Sequence, residues 1–383
     1  MYYGIKAKKI YCEDRILENA VIVVKDGIIE DIIEGEYDGK LTNILDLREY
    51  NIIPGLIDLH IHGANGFDTM DANFKSLNEI SKYLAGKGIT SFLPTTVTDN
   101  IEKIKNAVIN IHNSIGRVEG AEILGSYVEG PYITKEHKGS HPEDLIRDVD
   151  IAEIEELIQA SQNTIKVMTI APEKKNAKEG IKYLRKKGIQ VSMGHTSATY
   201  DEAIEAIKYG ANVAVHTFNG MRGFKHREPG ILGAVLTEDE VFCEVICDLV
   251  HVHPAAIDLL LRCKKTGKVV LMSDSMRAAG LEDGKYMLGA LKVIVKDHIA
   301  RVESGSLAGS TTNILNCVKN MVEKVGVNSV EAVNMASLNP SKLLGVDDVI
   351  GSLRKGKKAN FAVINDNFEV FKTIINGQVV NER

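Results

Sequence analysis

The sequence has few cysteines, no long apolar run and no excess of positive charge, and each shortage excludes a class of protein. Its five cysteines are an odd number without the spacing of paired metal ligands, which excludes a disulfide framework and predicts a reducing compartment. No apolar stretch reaches the roughly eighteen residues of a membrane span, and charges interrupt residues 1–15 before a signal peptide could form. We therefore expect a cytoplasmic protein without a membrane anchor.

The charge balance is close to even and excludes two kinds of partner. The chain has 46 basic and 52 acidic residues mixed along its length, for a net charge of -6. This distribution offers no basic face for nucleic acid and no polybasic segment for anionic lipid. An anionic substrate would need local groups to hold it. The 383 residues, 44% of them hydrophobic, exceed one simple domain and predict a large domain with a smaller one.

Both ends of the chain have the pattern of short β-strands. Residues 16–33 contain two apolar runs separated by Asp26-Gly27, which is a strong hairpin signal. Near the C-terminus, residues 359–364, 370–375 and 378–380 repeat the pattern around Asn376-Gly377. We predict a small β-sandwich built from residues 1–50 and 351–383, which flank a central domain of residues 51–350.

The middle of the chain alternates between helical patterns and short apolar runs. The helical patterns cover about 75–87, 100–115, 151–161, 176–187, 199–209 and 254–265. The apolar runs are 52–61, 89–97, 123–128, 165–170, 189–193, 211–215, 241–246 and 269–272. Eight runs over roughly 250 residues fit a (β/α)8 barrel of the TIM type. A doubly wound sheet would show a similar alternation.

Polar residues that bind metals or move protons follow almost every apolar run. They are His60 and His62, Glu129, His195, His216, Asp248 with His251, and Asp274. In a barrel the C-terminal ends of all strands face one mouth, where these side chains would meet, whereas an open sheet would spread them along an edge. Their positions therefore favour the barrel.

Glu129, His195 and His216 form a set of three candidate metal ligands. Two imidazoles and one carboxylate leave a coordination position open for water, as in hydrolytic metal sites. His60 and His62 lie two residues apart on one strand, so they can share an ion. Each residue alone could instead be a strand-end cap or a core histidine.

Asp274 ends the eighth run and is the candidate general base. A carboxylate that faces an activated water can take its proton during attack and return it to the leaving group. The alternative role is to cap the turn that follows, as aspartate often does.

At this point the sequence resembles the amidohydrolase superfamily, whose first-strand signature looks like Pro54–Gly63 here. Within the superfamily it resembles the N-acetylglucosamine-6-phosphate deacetylases nearly end to end. The matching blocks are Val128–Tyr132, Lys138–His141, Ala171–Glu173, Gly194–Thr196, His216–Met221, Arg227–Gly230, Asp248–His251, Asp274–Gly280 and Leu307–Ser310. The resemblance implies a (β/α)8 barrel with a small flanking β-sandwich.

The resemblance also implies a role for each matching residue. Glu129, His195 and His216 correspond to ligands of the metal that activates water, and Asp274 corresponds to the general base and acid. His251 corresponds to the residue that polarises the substrate carbonyl, and His141 to a substrate-binding histidine. Asn219 and Gly220 correspond to phosphate-binding positions, and Arg227 corresponds to an arginine that reaches the phosphate from a neighbouring subunit. Arg227 in that role implies at least a homodimer. Its alternative role is a solvated charge in a surface turn.

The implied reaction is hydrolysis of the acetamide of N-acetylglucosamine 6-phosphate to glucosamine 6-phosphate and acetate. One divalent metal is expected to be essential, and zinc, iron, manganese and cobalt all suit these ligands. Since some members of the family keep the His-X-His pair, His60 and His62 predict a second metal that Glu129 bridges.

Three alternatives compete with this prediction, and the residues disfavour the second and the third. A deacetylase for the galactosamine isomer would have the same ligands. Cyclic amidases of the superfamily usually carry a carboxylated lysine after the fourth strand, and Met168–Pro172 has none there. A catalytically dead scaffold would typically have lost ligands or the acid/base, which this chain keeps.

Overall fold

The computed structural model describes residues 1–35, 41 and 43–382. Its strands are β1 (Tyr2–Tyr11), β2 (Ile16–Lys25), β3 (Ile28–Glu34), β4 (Ile44–Pro54), β5 (Leu56–Ile61), β6 (Gly63–Ala64), β7 (Phe67–Asp68), β8 (Ile89–Thr96), β9 (Glu122–Ile123), β10 (Ser126–Val128), β11 (Ile165–Thr169), β12 (Gln190–Met193), β13 (Val213–Ala214), β14 (Phe242–Val245), β15 (Val269–Leu271), β16 (Gly284–Leu288), β17 (Leu291–Lys296), β18 (Ile299–Val302), β19 (Phe361–Ile364), β20 (Val370–Ile375) and β21 (Gln378–Glu382). The α-helices are α1 (Phe74–Ala85), α2 (Ile101–Ser114), α3 (Ile151–Ala160), α4 (Ala177–Lys186), α5 (Tyr200–Tyr209), α6 (Gly230–Thr237), α7 (Pro254–Lys264), α8 (Ile314–Asn320), α9 (Ser329–Met335) and α10 (Leu338–Leu344). Short helical turns lie at Thr69–Asp71, Glu143–Leu145, Thr266–Lys268 and Met321–Val325.

Eight parallel strands form a nearly closed barrel in the order β15, β14, β13, β12, β11, β10, β8 and β5. Each of them lies within one of the eight apolar runs, and the helices α1 to α5 and α7 lie where the helical pattern predicts them. Apolar runs suit these strands because helices cover the outside of the barrel, so both faces of each strand are buried. The predicted (β/α)8 barrel is therefore confirmed.

The barrel closes at a seam between β5 and β15, where single contacts replace a regular ladder. The amide of Asp274 donates to the carbonyl oxygen of His60 at 3.0 Å, and the amide of His62 donates to that of Ser275 at 2.9 Å. Ile61 and Ser275 form an isolated parallel bridge. The seam thus runs through the backbone of three candidate site residues.

Both termini contribute to one seven-stranded sheet, in the order β21, β20, β19, β4, β1, β2 and β3. The predicted hairpins are present, with Lys25 opposite Ile28 and Ile375 opposite Gln378. The sheet has its own apolar core, which includes Ile5 and Phe361. A sheet built from both ends is therefore confirmed. The boundary between residues 50 and 51 falls inside β4, and the division into domains stays a prediction.

A three-stranded antiparallel sheet of β16, β17 and β18 follows the eighth barrel strand. This sheet was not predicted from the sequence, and neither were the helices α6 and α8 to α10. In β17 the side chains of Val293 and Val295 are buried while Ile294 is 52% exposed. Val293 and Val295 pack in a cluster with Val97 and Met276, which places the small sheet beside the mouth of the barrel.

Helix caps fix the two loops that carry His195 and His251. The hydroxyl of Thr199 accepts from the amide of Glu202, whose carboxylate accepts from the amide of Thr199, so a capping box begins α5. Helix α7 begins with Pro254, which has no amide hydrogen to leave unpaired at the first helical position. No helix in the described part of the chain is long and apolar enough to cross a membrane.

Candidate active site

Glu129 lies at the centre of a cluster of four histidines at the mouth of the barrel. Its Oε1 is 3.1 Å from Nε2 of His195 and 3.0 Å from Nε2 of His216. Its Oε2 is 3.4 Å from Nε2 of His60 and 3.2 Å from Nε2 of His62. Each carboxylate oxygen of Glu129 therefore lies close to its own pair of these four imidazoles.

Asp274 completes the His60 and His62 side of the cluster. Its Oδ1 is 3.2 Å from Nε2 of His62 and 3.7 Å from Nε2 of His60. Burial raises the pKa of Asp274, but the two imidazoles outweigh it and lower the pKa below its ordinary value. Asp274 is thus held in the ionised form that a general base needs.

Backbone carbonyls fix three of the rings in the tautomer that a metal requires. The Nδ1 atoms of these rings contact carbonyl oxygens, namely Thr95 at 3.2 Å for His62, His137 at 2.8 Å for His195 and Asn219 at 3.1 Å for His216. A carbonyl oxygen only accepts, so each Nδ1 carries a hydrogen, and a ring that is neutral then offers the lone pair of Nε2 to the centre.

The donor set fits a divalent metal. Nε2 of His195 and Nε2 of His216 lie 3.0 Å apart, and as neutral rings with Nδ1 protonated they have no hydrogen to share between them. A cation would satisfy both lone pairs and Glu129 together. On the other side, burial lowers the pKa of His62, but Asp274 and Glu129 raise it to about 10, which shows that these carboxylates attract positive charge there.

The backbone is strained at the strand ends that carry these side chains. His195, His216 and Asp274 have φ angles of 46°, 28° and 50°. Such left-handed conformations are uncommon for residues other than glycine and persist only where the surrounding structure imposes them. All three strained residues take part in the contacts of the cluster around Glu129.

His141 approaches Glu129 but is held in the opposite tautomer. The amide of Thr98 donates to its Nδ1 at 3.2 Å, and the Thr98 hydroxyl is 2.8 Å from the same atom. Because Nδ1 accepts, Nε2 carries the hydrogen, and it lies 3.6 Å from Oε2 of Glu129. Burial lowers the pKa of His141 to about 4, so the ring is neutral. Geometry alone groups His141 with metal ligands, but its tautomer makes it a hydrogen-bond donor.

His251 is held by a carboxylate instead of a carbonyl. Nδ1 of His251 donates to Oδ2 of Asp248 at 2.7 Å, and its amide donates to Oδ1 at 2.8 Å. Burial raises the pKa of Asp248, but the contacts with His251 have the larger combined effect, so the pKa lies below its ordinary value. Asp248 therefore stays ionised and stabilises positive charge on the His251 ring. The ring lines the cleft, where it can polarise a carbonyl oxygen.

A cleft of about 240 Å³ joins these groups to most of the other predicted site residues. It is lined by His62, Glu129, His141, His195, His216, Asn219, Gly220, His251 and Asp274, together with Val97, Leu288 and residues of the segment 306–309. His60 lies behind this wall and is fully buried.

Gly220 fits its place in the cleft because it has no side chain. A Cβ there would come within 2.8 Å of Nδ1 of His195, and its φ of 57° favours glycine. Arg227 does not line the cleft of its own subunit, and it lies in an exposed segment beside Phe224, which is 60% exposed. The predicted phosphate groups Asn219 and Gly220 are thus brought to the cleft, and Arg227 is not.

Sequence reasoning missed several buried groups near the site. Asp58 and Glu244 are fully buried, and burial raises their pKa values to about 7 and about 8. Tyr127 donates to Oε2 of Glu244 at 3.2 Å, and its ring packs on His60. The available signal was a carboxylate inside an apolar run, as in residues 56–61 and 241–246.

Comparisons with known proteins give one consistent result. A family model described as "Amidohydrolase family" matches residues 51–380. The chain is 39% identical to an N-acetylgalactosamine-6-phosphate deacetylase of Escherichia coli O157:H7, covering 100% of both chains. It is 40% identical to an N-acetylglucosamine-6-phosphate deacetylase of Vibrio furnissii, covering 98% of this chain and 94% of that one. The crystal structure of N-acetylglucosamine-6-phosphate deacetylase from Pasteurella multocida, 32% identical, superposes with a TM-score of 0.94 and covers 100% of both chains.

Proposed function

Since this chain belongs to the amidohydrolase family, we propose that it removes the acetyl group from N-acetylglucosamine 6-phosphate, releasing acetate and glucosamine 6-phosphate. The observation that carries the proposal is the meeting of Glu129, His195, His216, His251 and Asp274 in one cleft. Relatives along the full chain bear the names of deacetylases of amino-sugar phosphates. We place the reaction in the cytoplasm.

Glu129, His195 and His216 would hold the essential metal, which can be zinc, iron, manganese or cobalt. When bound, a divalent metal supplies two effects, a lower pKa for a water molecule and polarisation of a carbonyl oxygen. His60 and His62, with Glu129 as the shared carboxylate, would hold a second ion. The distances from each Glu129 oxygen to its own pair of imidazoles support this arrangement.

Asp274 would transfer the proton in the reaction, and His251 would stabilise the charge that develops. Asp274, ionised at neutral pH, takes the proton from the attacking water and passes it to the departing nitrogen. His251, backed by the carboxylate of Asp248, stabilises the negative charge that develops on the carbonyl oxygen. His141 donates its Nε2 hydrogen to the substrate, because Thr98 fixes that tautomer.

The phosphate would lie at the end of the cleft formed by Asn219 and Gly220. We propose that Arg227 of a neighbouring subunit completes this end, since a guanidinium fork binds phosphate with two parallel hydrogen bonds. The exposure of Arg227 supports a role outside its own subunit. The functional unit is then a homodimer.

The test is to measure the metal content of the purified protein together with its turnover of N-acetylglucosamine with and without the 6-phosphate. We expect bound metal and a strong preference for the phosphorylated sugar. Equal rates on both sugars would refute the phosphate site. Failure to hydrolyse either sugar, with metal bound, would refute the activity and favour the dead scaffold.

Mixing two inactive variants tests the role of Arg227 across subunits. Arg227→Ala and Asp274→Asn homodimers should each be impaired, and subunit exchange should restore activity because one site in each mixed dimer has both residues. If mixed dimers are shown to form but activity does not recover, Arg227 acts in its own subunit.

The galactosamine isomer is a second candidate substrate. It is favoured by the identity of 39% to a deacetylase named for N-acetylgalactosamine 6-phosphate, against 40% for one named for the glucosamine isomer. The ratio of kcat/KM on the two phosphorylated sugars decides between them.

A further inference from the structure

A small niche opens beside the cleft next to His141. Its walls are mostly apolar and include Val97, Pro142, Leu288 and Leu291, and its volume is about 10 Å³. Val97, Ser140, His141 and Leu288 border both the niche and the cleft, so the two spaces are continuous. Its apolar residues have no role in the reaction described above.

The apolar wall of the niche is linked in sequence to the segment that carries Asp274. Val97 and Leu288 pack with Met276, two residues beyond Asp274, in one apolar cluster. Val97 and Leu288 also line the cleft that Asp274 and His251 line, so an apolar surface faces the space where the proposed reaction takes place.

The proposed substrate has one apolar group to place against these walls. The acetyl methyl is the one alkyl substituent of this sugar phosphate, whose other substituents are hydroxyls and the phosphate, so it gains most from apolar burial. This methyl is bonded to the carbonyl carbon that is attacked, so it must lie close to Asp274 and His251.

We propose that Val97 and Leu288 form an acyl subsite, with the niche behind them receiving the acetyl methyl and excluding longer acyl chains. This inference rests on the proposed function and adds a specificity for the acyl group. A volume of about 10 Å³ holds about one water-sized group, so it suits a methyl and is too small for an ethyl.

Two variants change the niche in opposite directions. Leu288→Ala enlarges it at the border with the cleft. Ala290→Leu fills it from its outer wall, where an exposed residue in the turn between β16 and β17 tolerates a larger side chain. Val295→Ala is the matched control, because Val295 lies in the same apolar cluster but lines neither the niche nor the cleft.

The experiment measures kcat/KM on the N-formyl, N-acetyl and N-propionyl forms of the amino-sugar phosphate. One methylene in an apolar pocket changes this ratio by about 10-fold to 200-fold, so the natural protein should prefer acetyl to propionyl by at least about 10-fold. Leu288→Ala should remove most of this preference, and Val295→Ala should keep it. Ala290→Leu should slow acetyl relative to formyl, since only acetyl needs the niche.

Each outcome bears on one proposal. An unchanged propionyl to acetyl ratio in Leu288→Ala, with Ala290→Leu equally slow or fast on formyl and acetyl, would overturn the acyl subsite alone. A natural protein that hydrolyses none of the three sugars would overturn the proposed function and the subsite with it. If Leu288→Ala fails to fold, the ratio of kcat/KM on the N-formyl and N-acetyl sugars in Ala290→Leu tests the acyl subsite alone.

Discussion

Glu129 divides the cluster around it into two halves that differ in how their imidazoles are held. In the first half, which faces Oε1, the Nδ1 atoms of both His195 and His216 donate to backbone carbonyls. In the second half, which faces Oε2, His62 has such a partner, but Nδ1 of His60 is buried with no hydrogen-bond partner among the described residues. A ring without such a partner is free to take either tautomer.

The difference bears on metal affinity. Partners on the far nitrogen fix the orientation of a ligating histidine, and losing one typically costs 10-fold to 100-fold in metal affinity. The first half is therefore preorganised for its ion, whereas the second must first order His60. We infer that the first half holds the essential metal tightly and that the second binds a metal more weakly.

Removing Asp274, the carboxylate of the second half, should have the largest effect. Asp274→Asn keeps the shape but not the basicity, and general acid and base catalysis contributes about 10²-fold to 10⁴-fold, so kcat should fall by about 10³-fold. The bound essential metal should stay, as elemental analysis would show. A variant of near-normal rate would contradict the role given to Asp274.

Replacing the histidines of each half in turn tests whether the two halves differ in metal affinity. His216→Asn should lose the essential metal and lower turnover by at least roughly 100-fold, because it removes one of three ligands. His60→Gln combined with His62→Asn should keep one metal per subunit and more of the turnover. Metal titrations followed by elemental analysis would show this. Equal losses in both proteins would mean that the two halves are equivalent.

The imidazole of His251 differs from those of both halves, because its Nδ1 is held by the carboxylate of Asp248. Asp248→Asn keeps a hydrogen-bond acceptor for His251 but removes the negative charge beside its Nδ1. We expect kcat to fall by about 10-fold to 100-fold with KM nearly unchanged, since the loss falls on the transition state. A rise in KM alone would instead make His251 a group that only binds substrate.

The smallest expected effect concerns a buried carboxyl beside the first half. Burial raises the pKa of Glu244 from 4.5 to about 8, so the folded protein keeps a proton that the unfolded chain has lost between these pH values. Stability should therefore decrease as pH rises through this window, by at most about 1.4 kcal/mol per pH unit. Denaturant unfolding of metal-free protein from pH 5 to pH 8 measures it.

Glu244→Gln is the variant that tests this slope. The amide does not titrate, so the decrease with pH should become shallower. The part left should reflect Asp58, whose pKa burial raises to about 7, and His62, whose pKa is raised to about 10, against the opposite contribution of His141, whose pKa burial lowers to about 4. The same slope in both proteins would show that Glu244 does not titrate in this range.

Much of the fold and the site could be predicted because local patterns carry them. Eight apolar runs located the barrel strands, and the polar residues that follow six of these runs located the cluster. The β16 to β18 sheet left a signal too, since residues 291–296 alternate between buried and exposed side chains. No motif tied that segment to the cleft, so its place at the mouth was not predicted.

What could not be predicted depends on contacts between residues distant in the sequence. The tautomer of His141 is set by Thr98, and the seam joins Asp274 to His60, but neither pairing leaves a local pattern. Strain at His195 and His216 likewise follows from packing and not from residue type.

The order of the terminal sheet has a consequence for synthesis on the ribosome. Strand β4 pairs with β1 on one side and with β19 on the other, and β19 begins only at Phe361. The N-terminal strands can assemble early, but the other edge of β4 then waits, unpaired, until the barrel has been translated. Exposed edges pair with other chains, so this edge is where a nascent or truncated chain would aggregate.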